Sequence, residues 1–376
     1  MTEAYIKLGE IATYINGYAF KPKDRGTEGL PIIRIQDLTG NSKDKGFYKG
    51  KYPSKIEINN GDILISWSAS LAVYVWNSGK ALLNQHIFKV LFDKKEINRD
   101  YFVYAVQFSL NKMKQLTHGA TMKHVMKKDF ENVLIPYPSL TEQRIIAYTL
   151  DKLKESMSKR LRELKKLDEL IKARFVEMFG DIIHNSKKLP TKSLHQICNT
   201  VSGGTPSRKH LEYYGGNIPF VTTVALGPNY IDAEDAQDYL TEEGVKESAT
   251  RKIPVNSILF GNRVGVGKSS INKVEVCINQ DIIALTDIDF EKNNLLFLKM
   301  VLEEYKEYFE VQKRGATIKG IPSKIVKNIS IPIVSLSLQN EFANFVQQVD
   351  KSKVAVQKSL NETQKLYDSL MQEYFG

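Results

Sequence analysis

The chain has 376 residues, enough for two domains, and its 42% hydrophobic and 26% charged residues are typical of a soluble globular protein. We find no apolar run of about 18 residues and no apolar signal core at the N-terminus, so we expect neither a membrane span nor a secretory peptide. Two cysteines, Cys198 and Cys277, are too few for a disulfide scaffold or a cysteine-built zinc site, which favours a cytoplasmic protein. The net charge of +10 fits either a polyanionic partner or a solvated basic surface.

Residues 1–140 predict a small domain of short strands that ends in a helix and a final extended segment. The strands are apolar or β-branched runs bounded by glycine, asparagine and proline. The predicted strands are Ile32–Ile35, Ile63–Ser66, Leu71–Trp76 and Ile87–Phe92, followed by a helix at Tyr101–Lys114 and an extended segment at Val133–Tyr137.

The same order of elements returns in residues 181–336. Its members are Pro219–Thr223, Ile258–Phe260, Ile282–Thr286, a helix at Leu295–Tyr308 and an extended segment at Ile329–Val334. Sequence matches support the repeat: His118–Lys123 corresponds to Arg314–Lys319, and Phe179-Gly180 to Phe375-Gly376, both at an offset of 196. An ordered series of matches at a nearly constant offset indicates two copies of one structural plan.

Each copy continues into a predicted long helix, over residues 141–180 and 337–376. Apolar residues recur at steps near 3.5, which is typical of a coiled coil, and about 38 residues would extend roughly 57 Å. The alternative is that each helix packs on its own domain. The first stripe contains Ile146, Leu150, Leu153, Met157, Leu161, Leu164, Leu167, Ile171, Phe175 and Met178. The second contains Phe342, Val346, Val349, Val356, Leu360, Tyr367, Leu370 and Tyr374, and it is interrupted at Lys353 and Thr363.

These patterns predict an α+β fold with a pseudo-twofold internal repeat. Two similar small mixed α/β domains, residues 1–140 and 181–336, are separated by the two long helices, which we expect to form an antiparallel coiled coil.

A search for catalytic chemistry finds no convincing set of residues. The six histidines are scattered without ligand spacing, so we expect no metal site. The segment Gly261–Ser269 resembles a phosphate-binding loop, but Asn262 stands where the first glycine is required. A glycine-rich turn that carries Arg263 and Lys268 to a phosphate backbone, or a plain surface turn, fits better. Glu304-Tyr305-Lys306 matches part of a nuclease motif, but it falls in a predicted amphipathic helix.

Polar residues suited to nucleic acids stand at matched places in both copies. Asparagine and glutamine can pair with adenine, an acidic side chain such as that of Asp281 can accept from cytosine, and basic side chains bind phosphates. Any one group could be an ordinary loop, and Asn84 and Asn279 could instead cap a turn. In the first copy the candidates are Lys21, Lys23, Arg25, Trp67, Ser68, Ser70, Asn84, Gln85, His86, His118, Thr121, Lys123 and His124. In the second copy they are Thr205, Ser207, Arg208, Lys209, Asn262, Arg263, Lys268, Asn279, Gln280, Arg314, Thr317 and Lys319.

The layout resembles the DNA-specificity subunit of type I restriction–modification systems over essentially the whole chain. The matching segments of the first copy are Asn60–Ile65, Leu83–His86, His118–Thr121, Ile135–Gln143 and Arg174–Gly180. Those of the second copy are Ser202–Ser207, Ile258–Gly261, Gly267–Ser269, Ile278–Gln280 and Ile331-Pro332. The sequence departs from the family pattern at Ser335–Gln339, where a Pro-x-x-x-x-Gln-x-x-Ile pattern is usual, and Phe342 stands where isoleucine is common.

The resemblance implies two target recognition domains, each of which would read half of a bipartite site in double-stranded DNA, with the helix pair as a spacer. It also implies a non-catalytic chain without cofactors, which docks two methyltransferase subunits that use S-adenosylmethionine and, through them, an ATP- and Mg-dependent restriction subunit. The alternatives are an autonomous nuclease or fused restriction–methyltransferase, and a scaffold held by its helices with no role on DNA.

Overall fold

The computed structural model describes residues 4–68, 70–116, 126–315 and 320–376. The chain divides into two compact units. The first unit joins Met1–Arg162 with Gln357–Gly376, and the second unit is Glu163–Val356. No helix of the described residues is both long and apolar enough to cross a membrane.

Over its described residues, the first copy of the repeat contains short strands, three short α-helices and one longer helix, and it leads into a helix of 40 residues. Its strands are β1 (Tyr5–Lys7), β2 (Thr13–Asn16), β3 (Leu30–Ile33), β4 (Gly46–Tyr48), β5 (Glu57–Ile58), β6 (Ile63–Ser66), β7 (Ala72–Val75), β8 (Ala81–Leu83), β9 (Ile87–Leu91) and β10 (Leu134–Pro136). Its helices are α1 (Leu8–Ile11), α2 (Ile35–Leu38), α3 (Arg99–Leu116), α4 (Lys127–Glu131) and α5 (Leu140–Phe179).

The second copy follows the same order. Its strands are β11 (Thr191–Ser193), β12 (Asn199–Ser202), β13 (Tyr214–Val221), β14 (Tyr230–Ile231), β15 (Asp238–Leu240), β16 (Lys252–Ile253), β17 (Ile258–Gly261), β18 (Ser269–Asn272), β19 (Val276–Ile278), β20 (Ile282–Thr286) and β21 (Ser330–Pro332). Its helices are α6 (Glu242–Lys246), α7 (Leu295–Glu304), α8 (Lys306–Gln312), α9 (Ser323–Lys327) and α10 (Leu336–Phe375).

The sheets of the two copies have the same strand order, which confirms the predicted repeat. In the first copy, an antiparallel sheet has the order β2-β9-β6-β7, and a mixed sheet has the order β4-β3-β8-β5 with β3 and β8 parallel. In the second copy, the sheets are β12-β20-β17-β18-β14 and β15-β13-β19-β16, with β13 and β19 parallel. Strand β14 is an addition at one edge. Each copy also has a two-stranded pair, β1-β10 or β11-β21.

Some predicted elements differ in detail from the structure. The sequence predicts a single helix over Leu295–Tyr308, but the chain leaves helical geometry at Tyr305 and forms α7 and α8 instead. The hydroxyl of Tyr305 donates to the carbonyl of Ser330 at 2.9 Å, which fixes the residue at this break. Strands β8 and β19 escaped prediction because three buried apolar residues are too few to show a period.

Each long helix begins directly after a capping serine, at Leu140 or Leu336, one residue earlier than predicted. The hydroxyl of Ser139 accepts from the backbone N–H of Glu142 at 3.3 Å, and the Glu142 carboxylate accepts from the backbone N–H of Ser139 at 2.9 Å. This reciprocal pair is a capping box. At the start of α10, the hydroxyl of Ser335 accepts from the backbone N–H of Leu338 at 3.3 Å. Helix α5 therefore starts at Leu140 rather than at the predicted residue 141, because Ser139 is its capping residue.

A buried glutamine ties the first turn of each long helix to the preceding domain. Gln143 accepts from the backbone N–H of Asn98 at 2.9 Å and donates to the carbonyl of Pro138 at 2.9 Å. Gln339 repeats this pattern with the N–H of Asn294 at 2.8 Å and the carbonyl of Val334 at 3.0 Å. The departure from the family pattern just before Gln339 therefore leaves the anchoring hydrogen bonds of α10 in place.

The antiparallel coiled coil of α5 and α10 is confirmed. In the second unit, Lys353 pairs with Asp168 at 2.6 Å and Glu341 pairs with Arg174 at 2.7 Å. Later residues of α10 thus pair with earlier residues of α5, so the two helices run antiparallel. The two predicted apolar stripes form the seam, meaning the contact line between the two helices. All their residues are buried or partly buried except Leu161, which is 57% exposed. Because the seam steps alternate between three and four residues, Arg160 takes the inward position and Leu161 lies beside it.

The core of each unit uses the start of one long helix and the end of the other. In the first unit, Leu150 from α5 and Phe375 from α10 belong to the same apolar cluster, and the Phe375 ring lies 5.2 Å from that of Tyr101. In the second unit, Phe342 from α10 and Phe179 from α5 pack at 5.6 Å. The alternative in which each helix packs on its own domain is therefore wrong, because the end of each helix completes the core of the other unit.

A glycine in each copy allows two backbone segments to come unusually close. A Cβ atom on Gly17 would lie 2.0 Å from the carbonyl oxygen of Asn84, and one on Gly203 would lie 2.2 Å from that of Asn279. The close approach allows a backbone hydrogen bond between the two segments, from the N–H of Tyr18 to the carbonyl of Leu83 at 2.8 Å. This explains why Asn16-Gly17 and Ser202-Gly203 occupy matched positions.

Replacing Gly17 or Gly203 by alanine is expected to destabilise the protein by about 1–3 kcal/mol, the usual cost of overpacking, since the methyl group would push against backbone. Gly26→Ala is the matched control, because its nearest neighbour would be the Phe47 carbonyl at an ordinary 3.7 Å. Denaturant unfolding of the three variants measures the difference. Equal denaturation midpoints for Gly17→Ala and Gly26→Ala would show that the close backbone approach does not make the Gly17 position more sensitive to a methyl group.

Candidate nucleic-acid interface

In the first unit, two of the predicted polar groups meet where three strands end. Strands β2 and β6 both finish against the start of β9, with Asn16 opposite Phe88 and Ser66 opposite Ile87. This register brings Trp67 beside His86, with ring centroids 4.9 Å apart, and the indole N–H of Trp67 donates to the Asn16 side chain at 3.4 Å. The backbone of His86 has a positive φ of 72°, so the residue sits in a tight turn.

Other candidates of the first unit take part in turns or in an ion pair, or are exposed. The Asn84 side chain accepts from the N–H of Gln85 at 2.9 Å, as the turn-capping interpretation predicts. Ser68 is 8% exposed, and the N–H of Ser70 donates to its carbonyl at 2.6 Å in the turn after β6. Arg25 forms an ion pair with Asp44 at 2.6 Å. The side chains of Lys21, Lys23 and Gln85 are exposed.

In the second unit, the equivalent strand ends carry Asn262 and Asp281. The N–H of Asn262 donates to the carbonyl of Asp281 at 3.0 Å, just as Trp67 donates to His86 at 3.2 Å in the first unit. Asn279 is buried, and its side-chain oxygen accepts from the N–H of Asp281 at 3.3 Å. Asn279 therefore supports the turn, which places Asp281 rather than Asn279 at the strand end.

Two further groups join this cluster. Thr205 donates a short hydrogen bond to the Gln280 side chain, which links the loop after β12 to the turn before β20. Arg314 and Gly320 pair through backbone hydrogen bonds of 2.8 and 2.9 Å, and the next residue, Ile321, donates to the carbonyl of Asn262 at 2.7 Å. Gly315, in the matched loop, has a positive φ of 132°. The predicted loops of the second copy thus converge on the end of β17.

The segment Gly261–Ser269 forms the connection between antiparallel β17 and β18. Gly265 and Gly267 have positive φ angles of 62° and 82° in this turn. A strand follows where a phosphate-binding loop would need a helix, so this is a hairpin turn, and it leaves Arg263 and Lys268 exposed.

Acidic partners engage a further candidate. Arg208 pairs with Asp238 at 2.7 Å, and its guanidinium lies 4.2 Å from the centre of the Tyr214 ring. Ser207 accepts from the N–H of Lys209 at 3.3 Å, and Lys209 is exposed. The spacing of the basic residues could not reveal Asp44 and Asp238 as partners, because both come from other strands or loops. The predicted contacts His118, Thr121, Lys123, His124, Thr317 and Lys319 lie outside the described residues.

Within the described ranges, no group of three or more histidine, cysteine, aspartate or glutamate residues could hold a metal ion. Burial raises the pKa of the Cys198 thiol to about 12 and that of Cys277 to about 11. Both thiols are therefore protonated near neutral pH and are poor nucleophiles.

The sequence matches the type I restriction modification DNA specificity domain twice, over residues 3–167 and 187–365. The chain belongs to this family. The two matches correspond to the two copies of the repeat and include most of both long helices. The DNA-specificity family predicted from the sequence motifs is thereby confirmed.

Relatives within the DNA-specificity family align over nearly the whole chain. The EcoBI specificity subunit of a type I restriction enzyme from Escherichia coli is 22% identical, over 98% of this chain and 83% of that protein. The MjaVIII specificity subunit from Methanocaldococcus jannaschii is 24% identical, over 97% of this chain and 90% of its own length.

Solved structures share the fold of this family member. The S subunit of a type I restriction–modification system from M. genitalium aligns over 100% of this chain and 97% of that one, with a TM-score of 0.58 and 16% identity. A chain from a study of complex assembly and conformational transition in a type I R-M system aligns over 100% and 98%, with a TM-score of 0.63 and 18% identity. These similarities confirm the predicted fold of two α+β domains with long helices.

Proposed function

We propose that this chain is the sequence-specific DNA-binding subunit of a type I restriction–modification complex. Each α+β domain acts as a target recognition domain and reads one half of a bipartite site in double-stranded DNA. The observation that carries the proposal is the repeat itself: two sheets that share the same order of four strands carry polar side chains at equivalent strand ends. Two related reading surfaces on one chain suit two half-sites, since base edges are read by side chains placed in the grooves.

The long helices set the gap between the half-sites and dock two methyltransferase subunits. A continuous helix transmits a fixed rise of about 1.5 Å per residue, which makes it a suitable spacer. The methyltransferases bind S-adenosylmethionine and recruit a restriction subunit that uses ATP and Mg. This chain contributes recognition and assembly in the cytoplasm, and it performs no chemical step.

The loops and the strand ends have different roles on DNA. The loops that contain His118–His124 and Arg314–Lys319 contact phosphates, because arginine, lysine and threonine donate to phosphate oxygens and Gly315 permits a close backbone approach. The strand ends at Trp67 and His86 and at Asn262 and Asp281 lie nearer the bases. Phosphate contacts orient the domain on DNA, and base contacts give the sequence preference.

Exchanging residues 1–140 for the corresponding domain of another family member tests the proposal. We expect one half-site of the methylated sequence to change and the other half-site to remain, because each domain reads independently. The chain is produced with its methyltransferase subunit in a host that lacks other type I systems, and methylation is mapped across the genome. A matched chain that carries its own residues 1–140 after the same cloning steps is the control. A change in both half-sites, or methylation unrelated to a bipartite sequence, would contradict the proposal.

A further inference from the structure

Asn262 and Asp281 form a polar cluster at the strand ends of the second unit, and Arg263 directly follows Asn262. Its side chain is 42% exposed, and its Nε lies 3.6 Å from Oδ1 of Asp281, whose side chain is 13% exposed. Oδ1 of Asp281 is buried and accepts no hydrogen bond from the described residues. The other carboxylate oxygen, Oδ2, accepts from the Asn279 side chain at 3.4 Å, so Oδ1 is the oxygen that faces Nε of the guanidinium.

The stem of Arg263 occupies a slot that a glycine leaves open. A Cβ atom on Gly320 would lie 2.8 Å from Cγ of Arg263 and 3.1 Å from the carbonyl oxygen of Asn262. Gly320 is itself held in place by its backbone pairing with Arg314 and by the adjacent bond from Ile321 to Asn262. The arginine side chain therefore contacts Gly320 along its stem and forms an ion pair with Asp281 at Nε.

The two terminal nitrogens of Arg263 make no hydrogen bond to a described residue, whereas the guanidinium of Arg208 is engaged by Asp238 and Tyr214. A guanidinium held through Nε presents Nη1 and Nη2 as a planar pair of donors. That fork matches the O6 and N7 acceptors of guanine in the major groove, which is the commonest specific contact between proteins and DNA.

We propose that Arg263 is a specificity-determining residue that reads a guanine in the half-site bound by the second domain, and that Asp281 is the residue that positions it. This proposal rests on the proposed function. In the first copy, Ser68 stands at the position equivalent to Arg263 and is 8% exposed, while Trp67 and His86 replace Asn262 and Asp281. The guanidinium contact is therefore specific to one half-site, and the two domains read DNA with different chemistry.

Three variants test this assignment in the complex with the methyltransferase subunit. Binding is measured to duplexes that carry each of the four bases at every position of the second half-site. Arg263→Lys keeps the charge but loses the fork, so the preference for guanine at one position should fall about 5- to 150-fold, the value of a good bidentate pair. Arg263→Gln should shift the preference at that position from guanine toward adenine, which glutamine pairs with. Asp281→Asn should weaken the preference at the same position by a smaller factor.

The double variant Arg263→Lys/Asp281→Asn separates positioning from general structure. Because Asp281 acts through Arg263, the double variant should show no greater loss of base preference than Arg263→Lys alone. Glu291→Gln, which changes an exposed carboxylate outside the cluster, is the control for Asp281→Asn and should leave the preference at every position unchanged. The first half-site serves as an internal reference in all variants.

A loss of affinity that is uniform across sequences, together with a flatter salt dependence, would assign Arg263 to a phosphate and overturn the proposal. Unchanged base preference in Arg263→Lys and Arg263→Gln would also overturn it. Failure of the proposed function would look different, since the wild-type complex would then prefer no bipartite sequence at all.

Discussion

Replacing Phe179 by alanine is expected to destabilise the second unit by about 3–5 kcal/mol, the usual cost of removing a buried phenylalanine side chain. Phe179 lies at the end of α5, it is 1% exposed, and its ring packs against Phe297 at 4.8 Å. Phe375→Ala, at the end of α10, should instead destabilise the first unit, where the ring contacts Tyr101 and Phe108 at 5.2 and 6.1 Å.

Amide hydrogen exchange resolved along the sequence locates the two effects. Phe179→Ala should accelerate exchange in β17 and β20, and Phe375→Ala should accelerate it in β6 and β9. Leu161→Ala and Leu366→Ala are controls on the same helices, because these side chains are 57% and 50% exposed and should cost less than about 0.5 kcal/mol. If Phe375→Ala loosened the strands of the second unit and spared those of the first, the assignment of helix ends to units would be wrong.

Lengthening both long helices by one heptad is expected to lengthen the gap between the two DNA half-sites. Insertions after Leu161 and after Gln357 fall at the division between the two units, so the core contacts of each unit are left intact. Seven residues keep the apolar seam in register and add about 10 Å, which is close to three base pairs at about 3.4 Å each. The methylated sequence should contain the same half-sites with a spacer about three base pairs longer.

Mapping methylation in a host that carries the lengthened chain and its methyltransferase subunit gives the spacer directly. A pair of four-residue insertions at the same positions is the control, since it rotates the seam out of register and should abolish stable assembly. A stable and active heptad variant with an unchanged spacer would show that the helices do not set the gap.

Much of the fold could be predicted from the sequence because it is repeated. The offset of 196 that relates Ile135-Pro136 to Ile331-Pro332 also relates β10 to β21 and Gln143 to Gln339. The seam of the coiled coil could be predicted from the spacing of the apolar residues, except in the middle of α5, where Arg160 rather than Leu161 takes the inward position. What the sequence could not predict is the exchange of helix ends between units, because the spacing of apolar residues along a helix does not say which domain they enter.

The candidate interface could be predicted in part. Matched polar loops identified Asn262 and Arg263, since both copies carry polar or aromatic residues after the equivalent strand. The sequence did not separate residues that support turns from residues that face outward. Asn279 and Asp281 are two positions apart, and the antiparallel pairing of β17 with β20 is what places the carboxylate beside Arg263. Contacts of this kind depend on strand register, which is a property of the sheet as a whole.

The division of the chain into one continuous unit and one discontinuous unit reverses the order in which they can mature on the ribosome. The second unit is complete in sequence once Val356 has emerged, whereas the first unit, although its translation begins first, lacks Met371 and Phe375 until residues 357–376 have followed. Domains generally fold as soon as their sequence is available. Limited proteolysis of stalled nascent chains should therefore find residues 163–356 protected earlier than residues 4–116, so that the domain translated first is the last to become stable.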